Sequence, residues 1–489
     1  MEQTKPNIVY ILTDDLGYGD VSSLNPGCPF ATIHFDRLAA EGMTFTDAHA
    51  TSAVCTPSRY SILTGRYNWR SRLKSYVLGG FSSPLIEPGR PTIASMLSKT
   101  GYSTHAVGKW HLGMDFAKEE GFVEADEFAD SHPVDYTAPI KGGPVDVGFD
   151  SFYGISGSLD MPPYVYIEND RCTKVPARLT KGTGKGFWRE GLTADDFVHE
   201  QVLDHLTDKA IEVIQSPHTK PFFLYLALPA PHTPILPAKR FQGRSHTNAY
   251  GDFVLHCDDA VGRILDALDQ AGLTGNTLVV LTSDNGCSPM ADFAELAMAG
   301  HHPSYIFRGM KADIYEGGHR VPYLMRWPGH LPSQVRCDRL VCLSDLYATL
   351  AEYLGVALAE GEAVDSVSML SLFSDPFGEQ PRTSLVHQSL DGSLSLRKGR
   401  WKLEMCKGSG GWSYPVPGSA EEQALSPIQL YDLASDIKET NNVADVYPQV
   451  VAALRSELMQ IVSDGRSTPG PKQNNDGVQI WKTVQWLDD

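Results

Sequence analysis

Three short runs carry residue types that do chemistry, and each is placed just after a predicted strand. Asp14-Asp15 follows NIVYILT, Asp284-Asn285 follows TLVVLT, and Cys55-Thr56-Pro57-Ser58-Arg59 opens a helical pattern. In open α/β sheets, sites form in the crevice at the carboxyl ends of the strands. Two carboxylates from one strand end, with a carboxylate and a carboxamide from another, make an all-oxygen donor set. Such a set suits a hard cation, Ca²⁺ or Mg²⁺, rather than zinc. Taken singly, DD and DNG are also ordinary turn sequences, because Asp, Asn and Gly favour turns. A cysteine at a helix N-terminus meets a dipole that favours an anion. The alternative for Cys55 is a buried structural thiol.

The elements that must position these runs alternate along the chain. A strand at Asn7–Thr13 precedes a helix around Phe35–Glu41. A helix near Thr92–Lys99 stops at Gly101 and leads into an extended run, Ser103–Val107. A long amphipathic helix is expected from about Ala194 to Gln215. Thr193 is its cap, and Val198, Val202, Leu206, Ala210 and Ile214 share a face. Pro221–Leu228 reads as a buried strand. A second helix carries Val254, Cys257, Val261, Ile264 and Leu268 on one face and stops at Gly272. This β-then-α order predicts an α/β fold, a large mostly parallel sheet sandwiched by helices. After about residue 375 the texture changes. Ser384–His387, Ser393–Arg397 and Trp401–Glu404 read as short antiparallel strands, and Pro448–Ser463 as a last helix. The expected division is therefore 1–375 and a smaller α+β domain over 376–489, with a polar tail after Gly470 laid over the surface.

The bulk numbers narrow the class. The chain has 489 residues, a formal net charge of −18 and 42% hydrophobic residues, so it reads as globular throughout. No run of five basic residues occurs, so nucleic acid is not an expected partner. No apolar stretch is long enough to span a bilayer, so a membrane is not one either. The opening MEQTKPNIVY has no charged-then-apolar leader. That leaves a cytoplasmic protein, or a periplasmic or secreted one whose leader was cut away. The eight cysteines form no CxxC pair, and a disulfide between Cys337 and Cys342 stays open.

Cys-x-Pro-Ser-Arg followed by Leu63-Thr64-Gly65-Arg66 resembles the signature of the formylglycine-dependent type I sulfatases, in the alkaline phosphatase superfamily. Other runs resemble that family in the expected order. They are NIVYILTDDLGYGD, FDRLAAEGMTFTDAHA, GKWHLG at 108–113, APHTP at 230–234, LTSDNG and KADIYEGGHRVPYLMRWPG. The C-terminal RKGRWKLE and LYDLASDIKETNNVAD look like the family's smaller domain. Ile33 stands where the family often has proline, a peripheral departure.

The resemblance implies that a separate formylglycine-generating maturation enzyme oxidises Cys55 to an aldehyde (3-oxoalanine), which hydrates to a geminal diol. One diol oxygen attacks sulfur; the second loses its proton and expels sulfate by C–O cleavage. It further implies one Ca²⁺, or Mg²⁺, held by Asp14, Asp15, Asp284, Asn285 and the modified Cys55. Arg59 and Lys109 hold the diol, and His111 orients it and takes its proton. His232 and Lys311 face the bridging oxygen; one of them, His232 before Lys311, protonates the departing alkoxide. Substrate contacts are expected from Asp160 and the aromatics of SGSLDMPPYVYIEND, with His387, His319 and His301-His302 as further candidates. The implied substrate is a sulfated saccharide, a 6-O-sulfate on galactose or N-acetylgalactosamine of a glycosaminoglycan or algal polysaccharide, cleaved in an exo manner. A phosphate or phosphonate ester hydrolase on the same scaffold, and a non-catalytic sulfated-glycan binder, are the competing readings.

Overall fold

In NIVYILTD, residues of both parities are apolar, and the strand Asn7–Asp14 is buried along its whole length. Alternate side chains of a strand point to opposite faces. Ile8, Tyr10 and Leu12 accordingly enter one core, and Val9 and Ile11 the other. The computed structural model describes residues 5–118 and 133–487; the first four residues of the opening lie outside them.

This strand is the axis of a ten-stranded sheet. Phe222–Pro231 and Thr277–Ser283 flank it in parallel. Ser103–Lys109 and Ser151–Ile155 continue the parallel run on one side. Antiparallel strands flank this parallel run, Tyr323–Arg326 beside Thr277–Ser283 and Ile167–Glu168 beside Ser151–Ile155; beyond them lie Met43–Phe45 with Val335–Cys337 parallel to it at one edge, and Arg171–Cys172 at the other. Helices Val202–Gln215 and Ala249–Gln270 cover one face, burying Leu206, Ala210, Val254, Val261 and Ile264 against it. The other face carries helix Cys55–Thr64, all ten residues of which are buried. The expected α/β class is the observed one.

The helix expected from Ala194 begins instead at Val202. Gly191–Thr193 is a strand paired with Arg178–Thr180, so Thr193 caps nothing. The Ala194 amide donates to Tyr164 O at 2.9 Å, and Phe197 packs on the rings of Tyr164 and Tyr166. These tertiary contacts win over local helical preference. The open disulfide does not form: both thiols are free, with Cys337 Sγ 3.1 Å from Pro376 O and Cys342 Sγ accepting from Ser344 Oγ.

Beyond residue 380 a second sheet has four antiparallel strands, Ser384–Gln388, Leu394–Lys398, Trp401–Glu404 and Gln429–Asp432. The sequence reading found the first three. Helix Pro448–Ser463 packs Leu454, Leu458 and Ile461 on this sheet. The sheet abuts the nucleophile segment: Gln388 N donates to Thr51 O and Gln388 O accepts from Ala53 N. The tail then returns to the large sheet's side. Asp476 binds Arg66 at 2.9 Å and Arg90 at 3.2 Å, Asn475 binds Arg70 at 3.1 Å, and Asp476 O accepts from Lys74 at 2.7 Å. These four cations flank the chain that leaves helix Cys55–Thr64. Among the described residues, no helix is long and apolar enough to cross a membrane.

Candidate active site

The sheet delivers its chemistry at the carboxyl ends of neighbouring parallel strands. Asp14 ends the axial strand, Lys109 ends the next but one, His232 follows Pro231, and Asp284 follows Ser283. A register shift between Leu12 and Asp14 turns the end of the axial strand. Asp15 and His111 then adopt positive φ, 64° and 55°, as does Ala312 at 80°. Such backbone is costly for non-glycine residues and persists where surrounding contacts enforce it.

Three cations face three carboxylates. Lys109 Nζ lies 2.7 Å from Asp14 Oδ2, both fully buried. Arg59 donates through Nε and Nη2 to Asp284 Oδ2 at 2.9 and 2.7 Å, and through Nη1 to Lys109 O at 3.1 Å. Lys311 Nζ reaches both oxygens of Asp15, at 2.7 and 2.8 Å. Burial pushes the Asp14 carboxyl up, but Lys109, His232, Arg59 and Lys311 together hold it well below the usual range. Burial dominates at Asp15, which is raised despite Lys311, and at Asp284, pushed up to about 6 despite Arg59. Three carboxylates this close resist full ionisation, and additional positive charge would relieve them.

Cys55 is the first residue of its helix and is only 2% exposed. Arg59 stands one turn on, on the same face. Burial pushes the Cys55 thiol up, outweighing Lys109 and Lys311, so the unmodified side chain is a thiol rather than a thiolate.

Two histidines complete the cluster. His111 Nε2 lies 2.7 Å from Leu78 O, which requires the proton on Nε2. Its Nδ1 is then a free lone pair, buried and without a partner. Burial, then Lys109, holds the ring well below its ordinary value, so it is neutral. His232 donates from Nδ1 to Thr233 O at 2.5 Å and points Nε2 at Asp15 Oδ2, 3.7 Å away. Burial and Lys311 push it down to about 4.

The donor set fits a divalent cation. Asp14 Oδ1 and Asn285 Oδ1 are buried without hydrogen-bond partners. Asn285 is oriented by its Nδ2, which donates to Asp15 Oδ1 at 2.7 Å and to Gly286 O. Donor atoms of Asp14, Asp15 and His232 lie within 4.8 Å of one another, which sets the His232 imidazole at the edge of the oxygen cluster.

The expected substrate residues divide. Asp160 stays at the site: Arg189 holds its Oδ2 at 2.7 Å, its Oδ1 is buried and unpaired, and its charge acts on His232. The aromatics of that segment do not, because Tyr164 and Tyr166 are buried in the core. His319 and His387 are corrected as well; neither has exposed surface. Their rings stack 3.7 Å apart at 16°, and His319 Nδ1 meets His49 Nδ1 at 3.0 Å. An ion cannot lie near the planes of two rings stacked this way, so the three histidines are a packed polar core. Asp47 accepts from His49 Nε2 at 2.9 Å, which leaves His49 Nδ1 to accept from His319 Nδ1; Lys402 Nζ and Ile314 O both lie beside His319 Nε2, at 3.1 and 3.0 Å. His301 is also structural, with Nε2 2.7 Å from Asp20 Oδ1.

Sequence reasoning missed the residues that hold others. Thr56 Oγ1 donates to His111 O at 3.0 Å and accepts from Leu78 N at 3.2 Å, tying both partners of the His111 ring bond to the nucleophile helix. Leu78 acts through its main-chain oxygen, which no side-chain pattern reveals. Tyr250 OH donates to Asp15 O at 3.1 Å and also bonds Asp20, the last residue of the quoted NIVYILTDDLGYGD run.

With this geometry in view, the comparisons agree. The Sulfatase family profile matches residues 6–356. An N-acetylgalactosamine-6-O-sulfatase of Bacteroides thetaiotaomicron is 33% identical, over 94% of this chain and 93% of its own length. Human arylsulfatase A is 31% identical, over 96% and 90%. A solved Bacteroides thetaiotaomicron structure, from work on glycosaminoglycan metabolism, superposes with a TM-score of 0.80 at 33% identity. It covers 94% of this chain and 99% of that one.

Proposed function

The chain belongs to the sulfatase family, and from that premise we propose that it removes a 6-O-sulfate from galactose or N-acetylgalactosamine units of a sulfated glycan, using Cys55 after oxidation to formylglycine. It is a sulfuric ester hydrolase acting on carbohydrate, and its family implies a formylglycine and a divalent metal ion. The finer assignments are Cys55 as the origin of the formylglycine, Ca²⁺ as the ion and a dedicated oxidising enzyme as the partner. What supports the first is the placement of Cys55, buried at the head of its helix among three cations and three carboxylates; Ca²⁺ and the oxidising enzyme rest on the family.

When bound, the hydrated aldehyde supplies an oxygen nucleophile and the cation supplies Lewis acidity. Asp14, Asp15, Asp284 and Asn285 would hold the cation; Asp14 Oδ1 and Asn285 Oδ1 are the buried oxygens among them without a hydrogen-bond partner. Lys109 and Arg59 keep Asp14 and Asp284 ionised and in place. His111, neutral and fixed through Nε2, takes a proton at Nδ1. Lys311 stays protonated, since burial is outweighed by Asp15, and its role is electrostatic. His232 is neutral in the free enzyme. A sulfate beside Lys311 offsets the cation that helps depress it, and so prepares Nε2 to protonate the departing alkoxide. Asp160 Oδ1 accepts from a hydroxyl of the sugar.

Charge favours sulfate over phosphate. Arg59, Lys109 and Lys311 balance Asp14, Asp15 and Asp284, so a divalent cation leaves two positive charges. A sulfate monoester and one deprotonated nucleophile oxygen cancel them, whereas a phosphate monoester dianion overshoots by one. The test is sulfate release from a panel of sulfated saccharides, after co-expression with a formylglycine-generating enzyme, with Ca²⁺ present. Cys55→Ala and phosphate esters run alongside. The reading requires sulfate release that the Cys55→Ala variant lacks. Phosphate release without sulfate release, with oxidation of Cys55 verified by mass, rejects it.

A further inference from the structure

The sulfate pocket is closed around Cys55 by main-chain contacts that bring distant segments to one rim. Ala312 N donates to Ala53 O at 2.8 Å, and Leu390 N donates to Ala312 O at 2.9 Å. Tyr76 N donates to Leu390 O at 2.7 Å, two residues before Leu78, whose carbonyl holds His111. Gly80 then meets Pro162, next in the chain to Met161 and Asp160; a Cβ there would lie 2.0 Å from Pro162 O. On the other side Gly411 presses on Ala312, where a Cβ would lie 2.4 Å from its carbonyl. Asp313 Oδ1 accepts from Trp412 N at 2.8 Å and Ser413 N at 3.0 Å. The loop carrying Trp412 is thus fastened to the two residues that follow Lys311.

Two aromatic side chains on this rim are left in solvent. Tyr76 is 57% exposed and Trp412 42% exposed. Neither exposure comes from a loose loop. Gly408 to Gly411 are buried, and Asp313 clamps the residues after them. Tyr76 sits at φ 61°, a conformation rare for a bulky residue, with its amide bonded to Leu390. Strain of this kind at the edge of a site points to a selected orientation. The segment expected to supply a sugar-stacking surface has Tyr164 and Tyr166 buried in the core, so those two rings offer no such face.

We propose that Tyr76 and Trp412 form an aromatic platform for the sugar adjoining the sulfated one, making this enzyme one that recognises at least a disaccharide. The inference rests on the carbohydrate reading above. A pyranose presents a face of C–H groups with hydroxyls at its edge, and an indole or phenol ring covers that face while the hydroxyls stay in water. Continuity with the sulfate pocket fixes the occupant. Main-chain contacts carry both residues to the site: Tyr76 stands two residues before Leu78, whose carbonyl holds His111, and Trp412 is clamped to Asp313, two residues after Lys311, so a glycan whose ester reaches Cys55 has both aromatic residues beside its path. Asp160 and Arg189 on the opposite wall then address the sulfated sugar, and the platform addresses its neighbour.

The test compares two substrates that share one ester, N-acetylgalactosamine 6-sulfate and a tetrasaccharide bearing that unit at its non-reducing end. Trp412→Ala and Tyr76→Ala are measured with fully oxidised, Ca²⁺-loaded enzyme, with Trp412→Phe as the conservative control. Each alanine variant is expected to raise KM for the tetrasaccharide by about three- to tenfold, with kcat unchanged and the monosaccharide unaffected. Trp412→Phe restores most of the loss. Equal effects on both substrates, or none on either, overturn the platform while leaving the carbohydrate reading intact. Wild-type enzyme that frees sulfate from neither saccharide, yet cleaves 4-nitrophenyl sulfate, removes the N-acetylgalactosamine 6-sulfate reading and the platform with it.

Discussion

Replacing Lys109 by Met removes one charge from the buried cluster while nearly keeping its shape. Lys109 Nζ and Asp14 Oδ2 are 2.7 Å apart and both have no exposed surface. At an effective dielectric constant near 20, that contact is worth about 6 kcal/mol of Coulomb energy. Breaking one partner of such a pair typically costs about 3–5 kcal/mol of stability. The ion-free variant should therefore unfold at a clearly lower urea concentration than the ion-free wild type. The response to Ca²⁺ should run the other way. With Asp14, Asp15 and Asp284 ionised around the ion, three cations balance them in the wild type, whereas Lys109→Met leaves one net negative charge to attract it; proton uptake by the ion-free cluster takes back part of that gain. A unit charge about 5 Å from a divalent ion is worth about 7 kcal/mol in the same medium, an upper bound on the gain. Calcium affinity is expected to tighten at least about tenfold, and saturating Ca²⁺ to return more stability to the variant than to the wild type. Isothermal titration on EDTA-treated protein, with urea unfolding at fixed free Ca²⁺, reads both. A variant that binds Ca²⁺ no tighter than wild type would refute the charge balance on which the site was interpreted. Activity should stay low throughout, because the ion cannot replace the ammonium group where the nucleophile is held.

Three further outcomes are expected. His111→Ala should lower kcat by about 100-fold or more with little change in KM, since its free Nδ1 acts on a proton and not on substrate binding. Thr56→Val, nearly isosteric, should reduce kcat by about tenfold through misalignment of His111 and lower stability by about 1–3 kcal/mol, as His111 O and Leu78 N lose their shared hydroxyl; unfolding curves and steady-state rates separate the two effects. His199, away from the site and stacked on Trp188 at 4.0 Å, is pushed down to about 3 by burial alone. A depressed histidine resists protonation in the fold but not in the unfolded chain, so wild-type stability falls as pH drops from about 6.5 toward 3. His199→Phe should remove that dependence, on the order of 4 kcal/mol at its largest, seen as a flatter unfolding midpoint between pH 6 and 4.

Much of the site was legible because its residues lie in contiguous runs at strand ends. NIVYILTDD and TLVVLTSDN announce both the strand and the ligands that follow it, and Cys55–Arg59 announces a helix N-terminus. What failed had a common cause. The helix drawn from Ala194 had a good periodic face, but Ala194 and Phe197 were claimed by Tyr164 and Tyr166, which lie far off in sequence. His319 and His387 looked like exposed polar candidates until His49 and Lys402 closed over them. The fourth strand of the C-terminal sheet, Gln429–Asp432, is only four residues long and pairs with Trp401–Glu404 across a long excursion. Leu78 O and the Trp412 loop were invisible because their roles are set by where the main chain passes.

The tail that binds Arg66, Arg70, Lys74 and Arg90 also sets a timetable. Asp476 and Arg66 are 410 residues apart in sequence, so this tie exists only once those further 410 residues have emerged. In the finished protein Cys55 is 2% exposed on a helix with no exposed residue, out of reach of any second enzyme. On the proposed formylglycine reading, oxidation of its thiol precedes closure, and the strap leaves the chain just beyond Cys55 unfastened until Asp476 has been made. A tie placed this far along the chain thus prolongs the interval in which the proposed nucleophile can be made.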